Sequence, residues 1–402
     1  MSDLYNKASL VMNPQLVDTG KVYSIKPEDR KGDFTFTRSS AATRVNADGL
    51  VEKETQNLFT YSNTFSDSSW LKADTSVTGG QAGYDGTNDA WLLEITGSTG
   101  FQTIRKQPIS YSGVNTFSFY AKAGTLSWLR VRANVENTYF DIGNGVVGST
   151  DSSIGISIEA VGNGYYRCVV PVEGSSSVFY IYPASGDGNV SQSSGNIYIQ
   201  DAQWEQGLVA RDYIETTTTA VEGGITDNVP RLDYTDSSCP ALLLEPQRTN
   251  VLGYSEYFDA WTLKQPSITT NYGISPEGLQ NSTRLVFSGA SQEIRTDATS
   301  LTGCMASVYV KGTNGETIKF GSTGVEELFT LNGSWQRLEK YNSGIPTNIT
   351  INTYSGATAR DIEVWGAQVE QGSYATSYIP TYGTSVTRVV DASLHFSGSF
   401  SD

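Results

Sequence analysis

Short runs in which apolar and polar residues alternate recur along this chain. Asp33-Phe34-Thr35-Phe36-Thr37-Arg38, Thr116-Phe117-Ser118-Phe119-Tyr120-Ala121-Lys122 and Trp128-Leu129-Arg130-Val131-Arg132-Ala133 put every second side chain on one face, which is the period of a half-buried strand. Ala90-Trp91-Leu92-Leu93-Glu94-Ile95, Ile154 to Glu159, Tyr166 to Val170, Val178 to Tyr182 and Asn196 to Gln200 read as further strands. Turn signals such as Gly162-Asn163-Gly164 divide them. No amphipathic helix of ordinary length and no coiled-coil heptad is visible. Many short strands at close spacing predict an all-β chain of sandwiches.

The pattern is also duplicated. Asn57-Leu58-Phe59-Thr60-Tyr61-Ser62-Asn63-Thr64-Phe65, then Trp70, returns as Asn250-Val251-Leu252-Gly253-Tyr254-Ser255-Glu256-Tyr257-Phe258, then Trp261. Phe119-Tyr120-Ala121-Lys122 matches Val308-Tyr309-Val310-Lys311 at an offset of 189. Ala202-Gln203-Trp204-Glu205-Gln206-Gly207 matches Ala367-Gln368-Val369-Glu370-Gln371-Gly372, and Tyr213-Ile214 matches Tyr378-Ile379, both at 165. Internal repetition sets the architecture. It predicts an arm over 1–54, a first module over 55–221, a structured linker over 222–249, a second module over 250–390 and a tail over 391–402. The falling offset makes the second copy shorter. The added length of the first is expected in a hairpin-like stretch that includes Trp128, Tyr139, Phe140 and Asn144-Gly145. The arm is too small for a large core and is expected to pack on the first module or on another chain. Ala241-Leu242-Leu243-Leu244-Glu245 in the linker reads as a buried strand, and Leu394-His395-Phe396 as a last strand or a loose end.

Composition agrees with strands and turns: 40 Gly, 23 Tyr and only 17% charged residues in 402. With 42 acidic against 27 basic residues the net charge is -15, which argues against a nucleic-acid partner and an anionic membrane surface. No apolar stretch reaches the roughly 18 residues needed to span a bilayer, so no membrane insertion is expected. Three scattered cysteines, Cys168, Cys239 and Cys304, allow one bridge but no disulfide framework. Cys168 in an apolar run reads as a buried thiol, and synthesis in a reducing cytoplasm follows. The N-terminal residues carry no charged-then-apolar secretion signal.

Leu242-Leu243-Leu244-Glu245-Pro246-Gln247-Arg248-Thr249-Asn250 with Tyr254-Ser255, and Trp365-Gly366-Ala367-Gln368-Val369-Glu370-Gln371-Gly372 with Thr376-Ser377-Tyr378-Ile379-Pro380-Thr381, resemble a family of bacteriophage virion proteins. These are head-spike and fibre-type proteins with lectin-like, carbohydrate-binding jelly-roll modules. Phe34 to Asn46 and Asn228-Val229-Pro230-Arg231-Leu232-Asp233-Tyr234 fit the same pattern. There the arm runs straight into the second of these stretches, so the first module here reads as inserted between them. The resemblance implies two tandem antiparallel β-sandwich (jelly-roll) modules behind a strand-and-turn arm. It implies a virion location after assembly in the host bacterial cytoplasm, and other virion proteins as partners through the arm. A homotrimer is implied by the same analogy.

Catalysis has little footing. The only histidine, His395, rules out a multi-histidine metal centre within one chain. Glu205 and Glu370 provide two equivalent carboxylates, which is what a glycosidase needs. Their recurrence inside Ala-Gln-x-Glu-Gln-Gly reads more simply as a strand end. The chain is therefore expected not to be an enzyme and to need no cofactor. Sugar binding needs aromatic faces beside polar groups. Trp70 and Trp261, repeated in both modules, read as core. Trp91, Trp128 and Tyr139 are not repeated and are the aromatic candidates, although strand alternation also allows Trp91 and Trp128 a core position. Asp85, Asn88 and Asp89 precede Trp91 and offer polar contacts. They also offer oxygen ligands for a structural calcium, without EF-hand spacing, while a plain Gly/Asn/Asp turn is the simpler reading. The expected function is weak, multivalent attachment to host surface glycans. Decoration of the capsid or tail without glycan binding is the alternative, and a glycan-degrading spike the third.

Overall fold

A computed structural model describes residues 3–97, 101–133, 135–152, 154–297, 301–346 and 348–392. The chain divides into two units. Gln56–Glu222 forms one; Met1–Thr55 and Gly223–Asp402 together form the other. The first module is thus inserted into a host unit that joins arm, linker and second module. The arm belongs with the second module, not with the first. Among the described residues the one α-helix is the short Asp3–Lys7. Leu394, His395 and Phe396 lie outside the described residues.

The inserted unit is a sandwich of two six-stranded antiparallel sheets. In the front sheet Val146–Thr150, Glu136–Asp141, Trp128–Ala133, Phe179–Ala184, Thr103–Lys106 and Trp70–Ala73 lie side by side in that order. In the back sheet the order is Ser157–Gly162, Tyr165–Glu173, Val114–Ala123, Asn196–Gln206, Ala90–Ile95 and Thr75–Gln81. Alternation carries one face of each inward, as the sequence pattern requires. Leu129, Val131, Phe140, Phe179 and Ile181 meet Phe117, Phe119, Cys168, Ile197 and Ile199 in one buried core. Trp70 is buried there too, and Trp261 in the core of the second module.

The second module repeats the plan with two five-stranded sheets. Its front order is Thr262–Lys264, Glu293–Asp297, Asn348–Asn352, Thr317–Gly321, Glu327–Thr330. Its back order is Ser267–Thr269, Thr283–Phe287, Arg360–Gln371, Cys304–Gly312, Gln336–Asn342. Comparison of the two orders corrects the expected place of the extra length. The strands of Trp128 and Tyr139 have counterparts, Thr317–Gly321 and Glu327–Thr330. The additions are the outermost strands Val146–Thr150 and Ser157–Gly162.

The duplicated motif is a duplicated set of hydrogen bonds. Asn57 Nδ2 donates to the carbonyls of Ala202 (3.1 Å) and Ile214 (2.7 Å), and its Oδ1 accepts from the amides of Phe59 (3.1 Å) and Trp204 (3.2 Å). Asn250 does the same with Ala367 (3.2 Å), Ile379 (2.9 Å), Leu252 (3.2 Å) and Val369 (3.0 Å). Both side chains are fully buried, so every polar atom must be matched. Beside them Ser62 meets the Tyr213 hydroxyl at 2.6 Å, as Ser255 meets that of Tyr378. The repeated tryptophans donate to the carbonyls of Tyr61 and Tyr254. Each central back strand carries a bulge at the same point, between the partners of Ser118 and Tyr120 and of Ser307 and Tyr309. The left-handed backbone there falls on Asp201 (φ 51°) in one copy and on Gly366 (φ 62°) in the other.

The host unit is closed by buried charge. Arg38 of the arm meets Asp391 (3.1 Å), and Arg231 of the linker meets the same carboxylate and Glu245 (2.8 Å). Arg388 also holds Glu245, at 2.9 Å. Burial would raise the Glu245 carboxyl, but Arg388 and Arg231 outweigh it and hold the group below its usual value. Ala241–Leu243 is a strand paired with Arg231–Asp233, yet it is half-exposed, not buried. Leu244 is exposed as well, so the Glu245 contacts tether this segment more than its leucines do. Cys168 and Cys304 are buried and Cys239 is exposed.

Replacing Asn250 by Ala leaves four buried backbone groups without partners, at about 1–3 kcal/mol each. Urea unfolding of the full chain is expected to show a loss of at least about 3 kcal/mol in the host unit. A loss below about 1 kcal/mol would mean that the strands hold without this side chain.

Candidate functional site

The front face of the inserted unit follows from strand alternation. Leu129, Val131 and Ala133 point into the core, so Trp128, Arg130 and Arg132 point out. Phe179 and Ile181 point in, so Tyr180 and Tyr182 point out. In the same way Phe140 turns Tyr139 outward and Ile104 turns Arg105 outward. Register places Arg130 between Tyr139 and Tyr182, and Arg132 between Asn137 and Tyr180. Arg105 takes the other side of Tyr180.

Rings and guanidinium groups then stack across the strands. Arg130 lies 3.8 Å from the centroid of Tyr182, and Arg105 and Arg132 each lie 6.0 Å from that of Tyr180. Tyr180 and Tyr182 are near-parallel, with centroids 5.6 Å apart. Phe101, 68% exposed, meets Tyr182 edge-on. Burial raises the Tyr182 hydroxyl against the pull of Arg130. Trp128 lies over Gly148, where an added Cβ would come within 2.6 Å of the indole; glycine there lets the ring lie flat. Arg105, Arg130 and Arg132 are half-buried, and none is paired with a carboxylate among the described residues. Asp141 and Asp187, on the Trp128 side, accept from the amides of Gly143 and Asn144 and from Ser149.

The remaining candidates do not join this face. The loop of Asp85, Asn88 and Asp89 covers the outer side of the back sheet, where Tyr84 stacks on Tyr120 with centroids 3.8 Å apart. Thr87 Oγ1 bridges the Asp85 and Asp89 carboxylates, and Gln200 Nε2 donates to Asp89 at 2.7 Å. The Thr87 hydroxyl holds Asp85 below the usual carboxylate range. Asn88 is exposed. Among the described residues no group of three or more His, Cys, Asp or Glu side chains is placed to hold a metal. Trp91 is half-buried on the core side: its ring meets Phe65 edge-on and its Nε1 donates to Asn63 O at 2.8 Å. Of the six candidates the structure brings together Trp128 and Tyr139. Sequence reasoning missed Arg105, Arg130, Arg132, Tyr180 and Tyr182. The alternation of 128–133 around Leu129 and Val131 already carried the signal for two of them.

Glu205 and Glu370 are both buried in clasps. Glu205 accepts from Gln203, the Arg211 amide and the Arg211 guanidinium; Glu370 accepts from Gln368 and from the amide and hydroxyl of Thr376.

The second module differs at the same places. By register Tyr180 corresponds to Thr350, Tyr182 to Asn352, Arg130 to Lys319, Arg132 to Gly321 and Tyr139 to Leu328. Arg105 corresponds to Arg295, which is paired with Glu293 at 3.2 Å. The outer side of this module's back sheet is covered by the arm. Val51 packs with Trp365 and Tyr378, and Lys53 meets Glu256 and Glu277 at 2.7 Å each.

No family model matches the sequence, and no curated protein matches it. Among solved structures, the tandem CBM22 domain of Xyn10C from Paenibacillus barcinonensis is 11% identical. The match covers 79% of this chain and 97% of that one, with a TM-score of 0.26. The tandem CBM51 modules of a family 98 glycoside hydrolase from Streptococcus pneumoniae are also 11% identical, covering 83% and 97%, with a TM-score of 0.23. At these scores the fold assignment rests on the chain's own sheets.

Asp201 gives this unit a pH dependence. Burial raises its carboxyl to about 7, despite the Tyr84 hydroxyl donating to it at 3.1 Å, and the charges of Asp89 and Asp85 add to the rise. A raised acid favours the neutral form. Its stabilisation is therefore complete below the unfolded value of 3.8 and is lost as pH climbs to about 7. Asp201→Asn keeps a side chain that tolerates left-handed backbone and removes the titration. Thermal unfolding is expected to rank it level with the parent at pH 4 and more stable by roughly 1–4 kcal/mol at pH 8. An unchanged difference across that range would refute the assignment.

Proposed function

We propose that this chain is a non-catalytic glycan-binding structural protein, of the phage head-spike and fibre type that its motifs resemble. The observation that carries the reading is the front face of the inserted unit. Phe101, Trp128 and Tyr180 keep exposed ring surface there beside the arginine donors, over the buried Tyr139 and Tyr182, which is the combination that sugars require: apolar ring faces with polar edges. The counterpart face of the second module lacks the rings, so the two copies divide the work. The inserted unit binds. The host unit, with its arm folded against the second module, holds the chain on the particle through other virion proteins, after assembly in the bacterial cytoplasm. Display of several copies, as in a homotrimer, multiplies weak contacts into adhesion.

No catalytic step belongs to this reading. The two equivalent carboxylates, Glu205 and Glu370, are occupied by internal donors at strand ends. A second reading, decoration without glycan binding, is favoured for the second module alone by its self-paired Arg295 and Glu293.

Native gels cast with host surface polysaccharide test the proposal. The parent chain is expected to be retarded, and Trp128→Ala and Tyr180→Ala are each expected to weaken retardation at least about tenfold, a loss of about 1.4 kcal/mol. Leu328→Ala, on the counterpart face, is expected to leave it unchanged. Parent and variants would be compared by urea unfolding first. Retardation that survives both ring substitutions in folded protein, or none with any host glycan, would overturn the reading.

A further inference from the structure

We infer that the front face of the inserted unit takes an acidic polysaccharide, a polymer bearing uronic-acid carboxylates, and that Arg105, Arg130 and Arg132 hold those carboxylates. The inference rests on the glycan reading above and names its substrate class.

Elsewhere among the described residues, apart from the exposed Arg30, the arginines are matched. Arg38, Arg231 and Arg388 meet Asp391 and Glu245, Arg211 meets Glu205, and Arg284 meets Asp361. Arg167 and Arg337, which lack an acid in hydrogen-bonding contact, donate to carbonyls and to serine hydroxyls. Among the described residues, only on the front face do three guanidinium groups stand together with no carboxylate or carbonyl accepting from them. Their Nε atoms are buried and unmatched. Unmatched Nε atoms also occur on Arg167, Arg231, Arg248, Arg337 and Arg388, but there other nitrogens of the group donate to carboxylates or carbonyls. A half-buried guanidinium without an acceptor is unfavourable in the free protein. An arriving carboxylate relieves that, and its planar two-oxygen geometry matches the guanidinium fork.

Placement favours a polymer over a small anion. Arg130 and Arg132 are two residues apart on one strand, about 7 Å. Arg105 is two strands away from Arg132 across Tyr180, roughly 10 Å. The cations form a spread row, not a single point. The tyrosine rings hold the guanidinium groups in place; Tyr182 is buried under Arg130, and the half-buried Tyr180 offers apolar surface for a sugar ring. Asp141 and Asp187 sit at the Trp128 end, so the anionic groups of a bound chain belong toward Arg105 and Arg132. In the second module the row is reduced at corresponding positions, with Arg132 answered by Gly321, Arg105 by a cation already paired and Arg130 by Lys319.

The test uses the full chain with polygalacturonate, the same polymer after carboxyl reduction, dextran sulfate and a neutral host glycan. Binding is followed by calorimetry or gel retardation at two salt concentrations. Polygalacturonate is expected to bind at least about tenfold more tightly than its reduced form, with affinity falling as salt rises. Arg130→Gln with Arg132→Gln is expected to remove that preference while residual binding to the reduced polymer persists. Arg295→Gln in the second module is expected to change nothing. If reduced and acidic polymers bind alike and the arginine variants match the parent, the substrate class is wrong while the glycan reading stands. If no polymer binds, both fall. Equal or tighter binding of dextran sulfate would mean a general anion face, and it too would overturn the uronate assignment.

Discussion

Two buried asparagines set what the rest of each sandwich can do. Asn57 and Asn250 each satisfy two carbonyls and two amides from three separate stretches of chain. No other side chain of that size offers two donors and two acceptors in one plane. The returning segments at Ile214 and Ile379 are held by their contacts with the asparagine and with Gln203 or Gln368, not by a strand ladder. Once these points are pinned, the central back strand keeps its bulge, the core closes, and the outer faces are free to vary.

That freedom explains how two copies of one plan differ. At the bulge the backbone demands a left-handed residue. Gly366 meets the demand without strain, and the second module keeps its acid one step away, on Glu256, beside Lys53 of the arm. The first module places Asp201 there, has Asn63 in place of Glu256, and uses the Tyr84 loop as cover. Both solutions bury an aromatic group on the same side of the same sheet, one under the arm and one under a loop of its own.

Much of this was legible in the residues, and the parts that were not share a cause. The repeat, the strands and the core tryptophans follow from local pattern. The alternation around Leu129 and Val131 even shows Arg130 and Arg132 on one side. It does not show that Tyr180 and Tyr182 lie on the neighbouring strand, because register is a non-local property. Nearness in sequence groups Trp91 with Asp85, Asn88 and Asp89, yet strand direction sends its ring to the core margin while the loop crosses the other side. The arm's attachment to the second module was hidden for the same reason. Arg38 and Asp391 meet across 353 positions of chain, and no local pattern announces a buried ion pair at that range.

The insertion has a consequence for how such a chain can diversify. The host unit is left at Thr55 and re-entered at Gly223, two residues that touch: a Cβ on Gly223 would stand 3.0 Å from the Thr55 hydroxyl. Everything between them has its own core and its own asparagine clasp. A cassette with adjacent ends can be exchanged, trimmed or given new strands at its margins, as Val146–Thr150 and Ser157–Gly162 illustrate, without rewriting the charge cluster that closes its carrier. The outer faces of the cassette and the closure of its carrier can then change at separate rates within a single polypeptide.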